Sequence, residues 1–403
     1  MTSVGGVDSM RKIAIIALIM TLVGTLAGMA QTAEELEWLQ QAELGEYQPA
    51  VEDWGAIYDA AREEGKVVIY SLSSRIYDAI ESFKSVYPGI EVEAYDLVDS
   101  EQVEKLTREQ GAGIYDVDIL FFAGATIPEL ELLPQGYIYN YVPHQLFDGK
   151  VTADLIPEDL REPLLVHSLE SKVVFYNTEN YPDAPPLTTL WGLTRPEWNG
   201  RVQMKDPMLT EENMNFLQTL VQHADEMAAA YEIEFGEPIT LSAGVENAGY
   251  EFIKRLVEND IVLTSSDGDA AKAVGAAGQD AAPVTLSVAS SKLRYNNTKG
   301  TVLAIAWDLE PMAAITKQNM LAIANLAPHP NAAKLLIRYM LGDSFGGGGF
   351  IPFNVPGGWS ARSDVPSAAP GVTLDSLVNN TWFLDATWIY DNGLMVQDFW
   401  LSL

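Results

Sequence analysis

The chain has 403 residues, no cysteine and a formal net charge of −32, with 48% of its residues apolar. That length suits two domains with separate cores, and the lack of cysteine excludes disulfides, zinc–thiolate sites, thiol catalysis and a lipid-attachment cysteine. So acidic a chain is a poor partner for nucleic acid, whose phosphates need clustered Lys and Arg, and a well-solvated monomer is expected.

Residues 1–30 form the pattern of an export signal. Arg11 and Lys12 precede an apolar run from Ile13 to Leu26, and Gly28, Met29 and Ala30 offer small residues for cleavage near Ala30. The run is too short to span a bilayer comfortably. A periplasmic location is therefore expected. Residues 31–53 are rich in Glu and Gln and suit a short helix or an extended arm.

A β-α-β-α-β run follows. Lys66 to Tyr70 is a compact apolar strand leading into Ser71, Ser73 and Ser74; apolar residues at Ile76, Ala79, Ile80, Phe83 and Val86 then follow helical spacing up to Pro88. Ile90 to Ala94 alternates as a strand, Ser100 opens a helix to Gln110, and Val117 to Phe122 is a third strand ending in Ala123, Gly124 and Ala125. Such alternation predicts a mostly parallel sheet covered by helices.

Further along, Ser171 to Asn177 is a strand and Tyr181 to Pro186 a proline-rich loop. Trp198 to Pro207 turns into another strand, with a helix opening near Thr210 and a second over Ala248 to Asn259. Ala270 to Ala277 is helix-prone, Ala282 to Val288 a short strand, and Pro311 to Ala322 a second strand crossing between lobes. Pro328 and Asn331 begin a helix whose apolar face is Ala333, Leu336, Ile337 and Met340. Gly346 to Gly349 is a loop, and the tail carries Trp382, Trp388 and Trp400.

Six segments occur in an order that resembles the ferric-iron-type branch of the type II periplasmic binding proteins: Glu64 to Tyr70, Tyr87 to Ile90, Tyr115 to Leu120, Trp198 to Val202, Pro328 to Lys334, and Arg362 to Val365. The resemblance implies an α/β clamshell, each lobe a mostly parallel sheet with flanking helices, hinged at two crossing strands near 168–174 and 312–315. It divides the chain into lobe 1 (54–172), lobe 2 (173–310), a return to lobe 1 (311–345) and a C-terminal segment packing across the lobes (346–403). It also implies a small-molecule solute handed to an ABC permease and its ATPase. Iron-binding members supply a histidine, a glutamate and two tyrosines, hard oxygen donors suited to ferric iron. This chain places Ser74 at the first position, Ala123 or Gly124 at the second, and Ser290 with Ser291 at the pair. An organic or phosphorylated anion is thus expected rather than iron with a synergistic anion, and no metal or cofactor.

The candidate site consists of hydroxyls, backbone and a few charges where strands end and helices begin, which favours anionic or polar groups. It comprises Ser71, Ser73, Ser74, Ala123, Gly124 and Ala125 on one side, and Asp206, Thr210, Asn213, Ser266, Ser290, Ser291, Tyr295 and Asp308 on the other. Helix capping is the plain alternative for each serine. Arg75 and Lys205 are the nearest anion partners, while Asp206, Asp269, Asp308 and Glu310 with Trp307 beside them would suit a polyamine. Catalysis finds little support: His144, His167, His223 and His329 match no metal-ligand spacing, and no Gly-x-Ser-x-Gly elbow occurs. An exported enzyme or sensor subunit on the same fold is the rival from another class.

Overall fold

The computed structural model describes residues 31–123, 126–368 and 372–403. The expected export signal, and Gly124 and Ala125, lie outside them. The N-terminal stretch is helical. α1 (Ala33–Ala42) opens on a capping box between Thr32 and Glu35, and α2 (Trp54–Glu64) is capped by Asp53.

β1 (Lys66–Ser71), α3 (Ile76–Val86), β2 (Glu91–Asp96), α4 (Asp99–Gly111) and β3 (Ile119–Ala123) follow in the expected order. β2 and β3 both pair parallel with β1, so the carboxyl ends of β1 and β3 share one edge of the sheet. β4 (Ile138–Tyr139) is a short addition, and β5 (Leu165–Val173) leads out of this sheet into β6 (Phe175–Asn177). β5 begins six residues earlier than its sequence predicts, because buried His167, Ser168 and Ser171 interrupt the apolar pattern of the strand.

The second lobe holds β7 (Val202–Lys205), α5 (Glu211–Gln222), α6 (Ala224–Phe235), α7 (Ala248–Glu258), β8 (Val262–Thr264), α8 (Asp267–Gly275), β9 (Val284–Thr285) and β10 (Val288–Ala289). β8 and β9 flank β7 in a parallel sheet. The single strand expected from Ala282 to Val288 is broken by Ser287 at φ +55°, so β10 leaves that sheet and pairs antiparallel with β5. After a short helix α9 (Tyr295–Thr298), β11 (Leu303–Ile305) pairs with β6. β12 (Ala314–Ala324) then crosses back, antiparallel to both β5 and β3. The chain ends with α10 (Pro330–Met340), β13 (Gly358–Ser360) beside β5, α11 (Leu374–Asn380), β14 (Trp382–Phe383) beside β12, and α12 (Ala386–Ser402) against α5 and α7.

Each lobe has its own core. Val67, Ile69, Phe83, Ile119, Phe121, Leu321 and Leu336 belong to the first, and Trp191, Met204, Phe216, Leu217, Phe252 and Val396 to the second. The crossing strands start in one core and finish in the other: Leu165 and Leu169 of β5 lie in the first, and Val174 just beyond it in the second.

Buried polar contacts explain why the distant segments of the sequence pattern occur together. The fully buried Asp118 carboxylate accepts the Val68 N–H at 2.7 Å and the His329 N–H at 2.8 Å, tying β1 to the start of α10. Glu64 accepts the N–H groups of Asn331 and Ala332 at 3.1 and 2.8 Å, so α2 supplies the cap for α10. Gly357 sits at φ +82°, and a Cβ there would lie 2.0 Å from the Ser290 carbonyl oxygen, so only glycine lets the tail cross this turn.

Candidate functional site

A cleft of about 700 Å3 opens between the lobes. Its floor is made by the crossing strands, which present Glu170 from β5 and Lys317 and Asn319 from β12. One wall comes from the carboxyl ends of β1 and β3, with Ser73, Arg75, Asp99 and Phe121. The other comes from the end of β7 and the first turns of α5, from Asp267 of α8, and from Ser291 and Lys292 in the turn after β10. Ile389, Tyr390, Gly393, Leu394 and Gln397 of α12 complete the rim, although no helix is predicted there from sequence.

A network of buried charges holds the floor. The Lys172 ammonium donates to Asn213 Oδ1 at 2.9 Å and Asp267 Oδ2 at 3.0 Å, and pairs with Glu212 Oε2 at 3.2 Å. Lys317 pairs with the other Glu212 oxygen, and Arg75 with Glu170 at 3.4 Å. Burial alone would raise the Glu212 carboxyl, but Lys317 and Lys172 together hold it well below the usual range. Burial likewise disfavours both ammoniums, yet Asp267 and Glu212 keep Lys172 protonated, and Glu212 and Glu170 do the same for Lys317.

Setting these pairs aside leaves four charges on the walls without an ion-pair partner among the described residues. Two are lysines, Lys205 and Lys292, whose pKa values burial lowers. The others are carboxyls. Asp99 is pushed up to about 7 by burial and the nearby Glu212, against the hydrogen bond from the Ala123 N–H. Glu211 is raised by burial, against its hydrogen bond with Asn215. Two amide oxygens on the cleft, Asn319 Oδ1 and Gln218 Oε1, are buried with no donor among the described residues, as is Asp267 Oδ1.

Five of the residues named from sequence, Ser73, Thr210 and Ser291 with the anion partners Arg75 and Lys205, line the cleft. The Ser71 hydroxyl instead closes its own turn, donating to the Ser73 carbonyl at 3.0 Å, and Ser74 points to solvent. The Ala123 N–H is taken by Asp99, and Asn213 bridges Lys172 to the Ser287 carbonyl beneath the surface. Asp206 holds the Met208 N–H, and Ser266 caps α8 through the Asp269 N–H. The Ser290 hydroxyl joins the Ser171 N–H to the Gly357 carbonyl. The Tyr295 ring sits beside Lys292 and Arg294, and Asp308 is exposed away from the cleft. Sequence reasoning missed Lys172, Glu212, Lys292 and Lys317. The usable signal was a lysine inside each of two largely buried crossing strands, a placement tolerated only with a buried partner.

No family model matches the chain, and no curated protein matches it in sequence. Solved structures do match. The apo ferric ion-binding protein A of Pasteurella haemolytica aligns with a TM-score of 0.59 at 15% identity, covering 84% of this chain and 98% of that one. Iron-bound HitA from Pseudomonas aeruginosa gives 0.59 at 16%, covering 83% and 99%. The substrate-binding protein of an ABC transporter from Agrobacterium tumefaciens gives 0.54 at 14%, covering 83% and 93%. The fold is that of the type II periplasmic binding proteins. In this fold the interlobe cleft is the crevice at the carboxyl ends of β1 and β3, where open α/β sheets bind ligands. Among the described residues, no group of three or more His, Cys, Asp or Glu could hold a metal ion, and Tyr390 is the one tyrosine on the cleft. No described helix is long and apolar enough to cross a membrane.

Proposed function

We propose that this chain is the exported, periplasmic solute-binding subunit of an ABC importer, and that the cleft holds a small organic or phosphorylated anion for delivery to the permease. One observation carries the anionic part. In a protein of net charge −32, two lysines, Lys205 and Lys292, face the cleft with no carboxylate at ion-pair distance among the described residues. Each is partly desolvated at a cost that an incoming carboxylate or phosphate would repay through charge-assisted hydrogen bonds. Ser73 and Ser291 add hydroxyls on the same walls. Closure bends the crossing strands β5 and β12, and a solute favours the closed state because the contacts of both walls exist together only there.

The fold is shared with proteins named for ferric ion binding, but the donors here suit iron poorly. No histidine and only Tyr390 of α12 line the cleft among the described residues, and Tyr176 and Tyr295 lie off it. The test is calorimetric titration of residues 31–403 with a panel of phosphate monoesters and carboxylates, beside the Lys205→Gln/Lys292→Gln variant. The expected result is binding that the double variant weakens at least ~10-fold, with unchanged circular dichroism. Anion binding that survives the double variant would contradict the proposal.

A further inference from the structure

The unpaired charges on the cleft are of both signs, and they are segregated. At one end of the cleft, Asp99 from the first lobe and Glu211 from the second share a small apolar recess beside Phe122 and Pro128 that neither lysine lines. Neither has a cation at ion-pair distance among the described residues. They are not a metal site, since no described group of three ligands is assembled.

A second observation points the same way. Asn319 is 5% exposed and lies beside this end, its strand position paired with Ala123, whose N–H is held by Asp99. Its amide nitrogen donates to Ser168 Oγ at 3.1 Å, but its oxygen is buried on the cleft with no donor among the described residues. Gln218, seven residues along α5 from Glu211, repeats the pattern: its nitrogen donates to the Gly393 carbonyl at 3.0 Å and its oxygen is left over. Among the described residues, the buried polar atoms left without a partner on the cleft are all acceptors, and Asp99 and Glu211 add two unpaired carboxyls. A ligand group that satisfies two carboxylates and two orphan amide oxygens must carry several N–H donors and a positive charge.

We infer that the solute is zwitterionic, with an anionic group at Lys205 and Lys292 and a primary ammonium between Asp99 and Glu211. The inference rests on the anion reading above and narrows it to amino acids or amino-phosphonates whose two charges are separated by a short chain. The ammonium would bridge carboxylates from both lobes, so it would also draw the cleft closed.

The experiment titrates residues 31–403 with ω-amino carboxylates and ω-amino phosphonates of two to five carbons. Each is compared with its N-acetyl form, which keeps the anion and loses the ammonium, and spermidine supplies ammonium without an anion. The expected result is a preference of about tenfold or more for at least one free amine over its acetylated form. That preference should fall to within about twofold in Glu211→Gln and Asp99→Asn, variants that keep side-chain size. Equal or tighter binding of the N-acetyl forms would overturn the inference and leave the anion reading standing. Binding of spermidine with none of the anions would overturn both.

Discussion

Replacing Glu212 by Gln removes one negative charge from between two buried ammoniums. Lys172 is 4% exposed and Lys317 10%, and each contacts a different Glu212 oxygen. Lys172 keeps Asp267 at 3.0 Å and Asn213 at 2.9 Å, so its loss is partial. Lys317 keeps no direct ion pair among the described residues, only the fields of Glu170 and Asp99. Breaking a buried pair from one side costs about 3–5 kcal/mol, and the surviving Lys172 contacts place this case near 3. Urea unfolding at pH 7 measures it as a lower midpoint with the slope unchanged. The acid limb should change too. The Glu212 pKa is depressed in the folded state, so its contribution is present above the unfolded carboxyl value and lost as pH falls through the folded one. Glu212→Gln should therefore flatten the stability loss below pH 4. Adding Lys317→Met should recover part of the loss, because the stranded charge goes with it. A cost below about 1 kcal/mol for Glu212→Gln would refute the view that this network fixes the floor.

Other substitutions probe the frame around the cleft. Asp99, raised to about 7, has the opposite sign: the folded protein holds a proton that the unfolded chain releases near pH 4. Its stability cost therefore grows as pH rises from about 4 to 7, and Asp99→Asn should stabilise the unliganded protein by a few kcal/mol at pH 8 and little at pH 4, read by denaturant midpoints. Asp118→Ala strands the N–H groups of Val68 and His329 and should cost about 2–4 kcal/mol in the same assay. Gly357→Ala meets the Ser290 carbonyl at a left-handed φ and should lower the melting temperature by more than ~2 kcal/mol of stability corresponds to, whereas Gly113→Ala, with open space around it, should cost less.

Local periodicity exposed much of the fold. α3 buries Ile76, Ala79, Ile80 and Phe83, four of the five residues its spacing selects, with Val86 exposed at its end, and β1, β2 and β3 fall within two residues of their predicted starts. α10 buries all four residues of its predicted face. Periodicity failed where the tertiary setting reverses the local rule. β5 buries His167, whose Nε2 reaches the Met340 carbonyl at 3.1 Å, so a polar residue stood where a reader expects a loop. α12 leaves Tyr390, Leu394 and Met395 exposed, which blurs the apolar stripe that marks a helix. The candidate site was less legible still. Strand-end serines are visible in sequence, but Ser71 and Ser290 spend their hydroxyls on backbone groups. Charges that meet from four distant segments leave no local pattern, and Glu212 finds Lys172 and Lys317 only through the fold.

The most direct test of solute capture is a thermal-shift screen of residues 31–403 against phosphorylated metabolites, carboxylates, ω-amino acids, ferric iron and spermidine. A ligand at a hundred times its dissociation constant adds about 2.7 kcal/mol, a rise of several degrees. The account predicts such a rise with at least one small anion, lost in Lys205→Gln/Lys292→Gln. A rise with ferric iron or spermidine alone would contradict it.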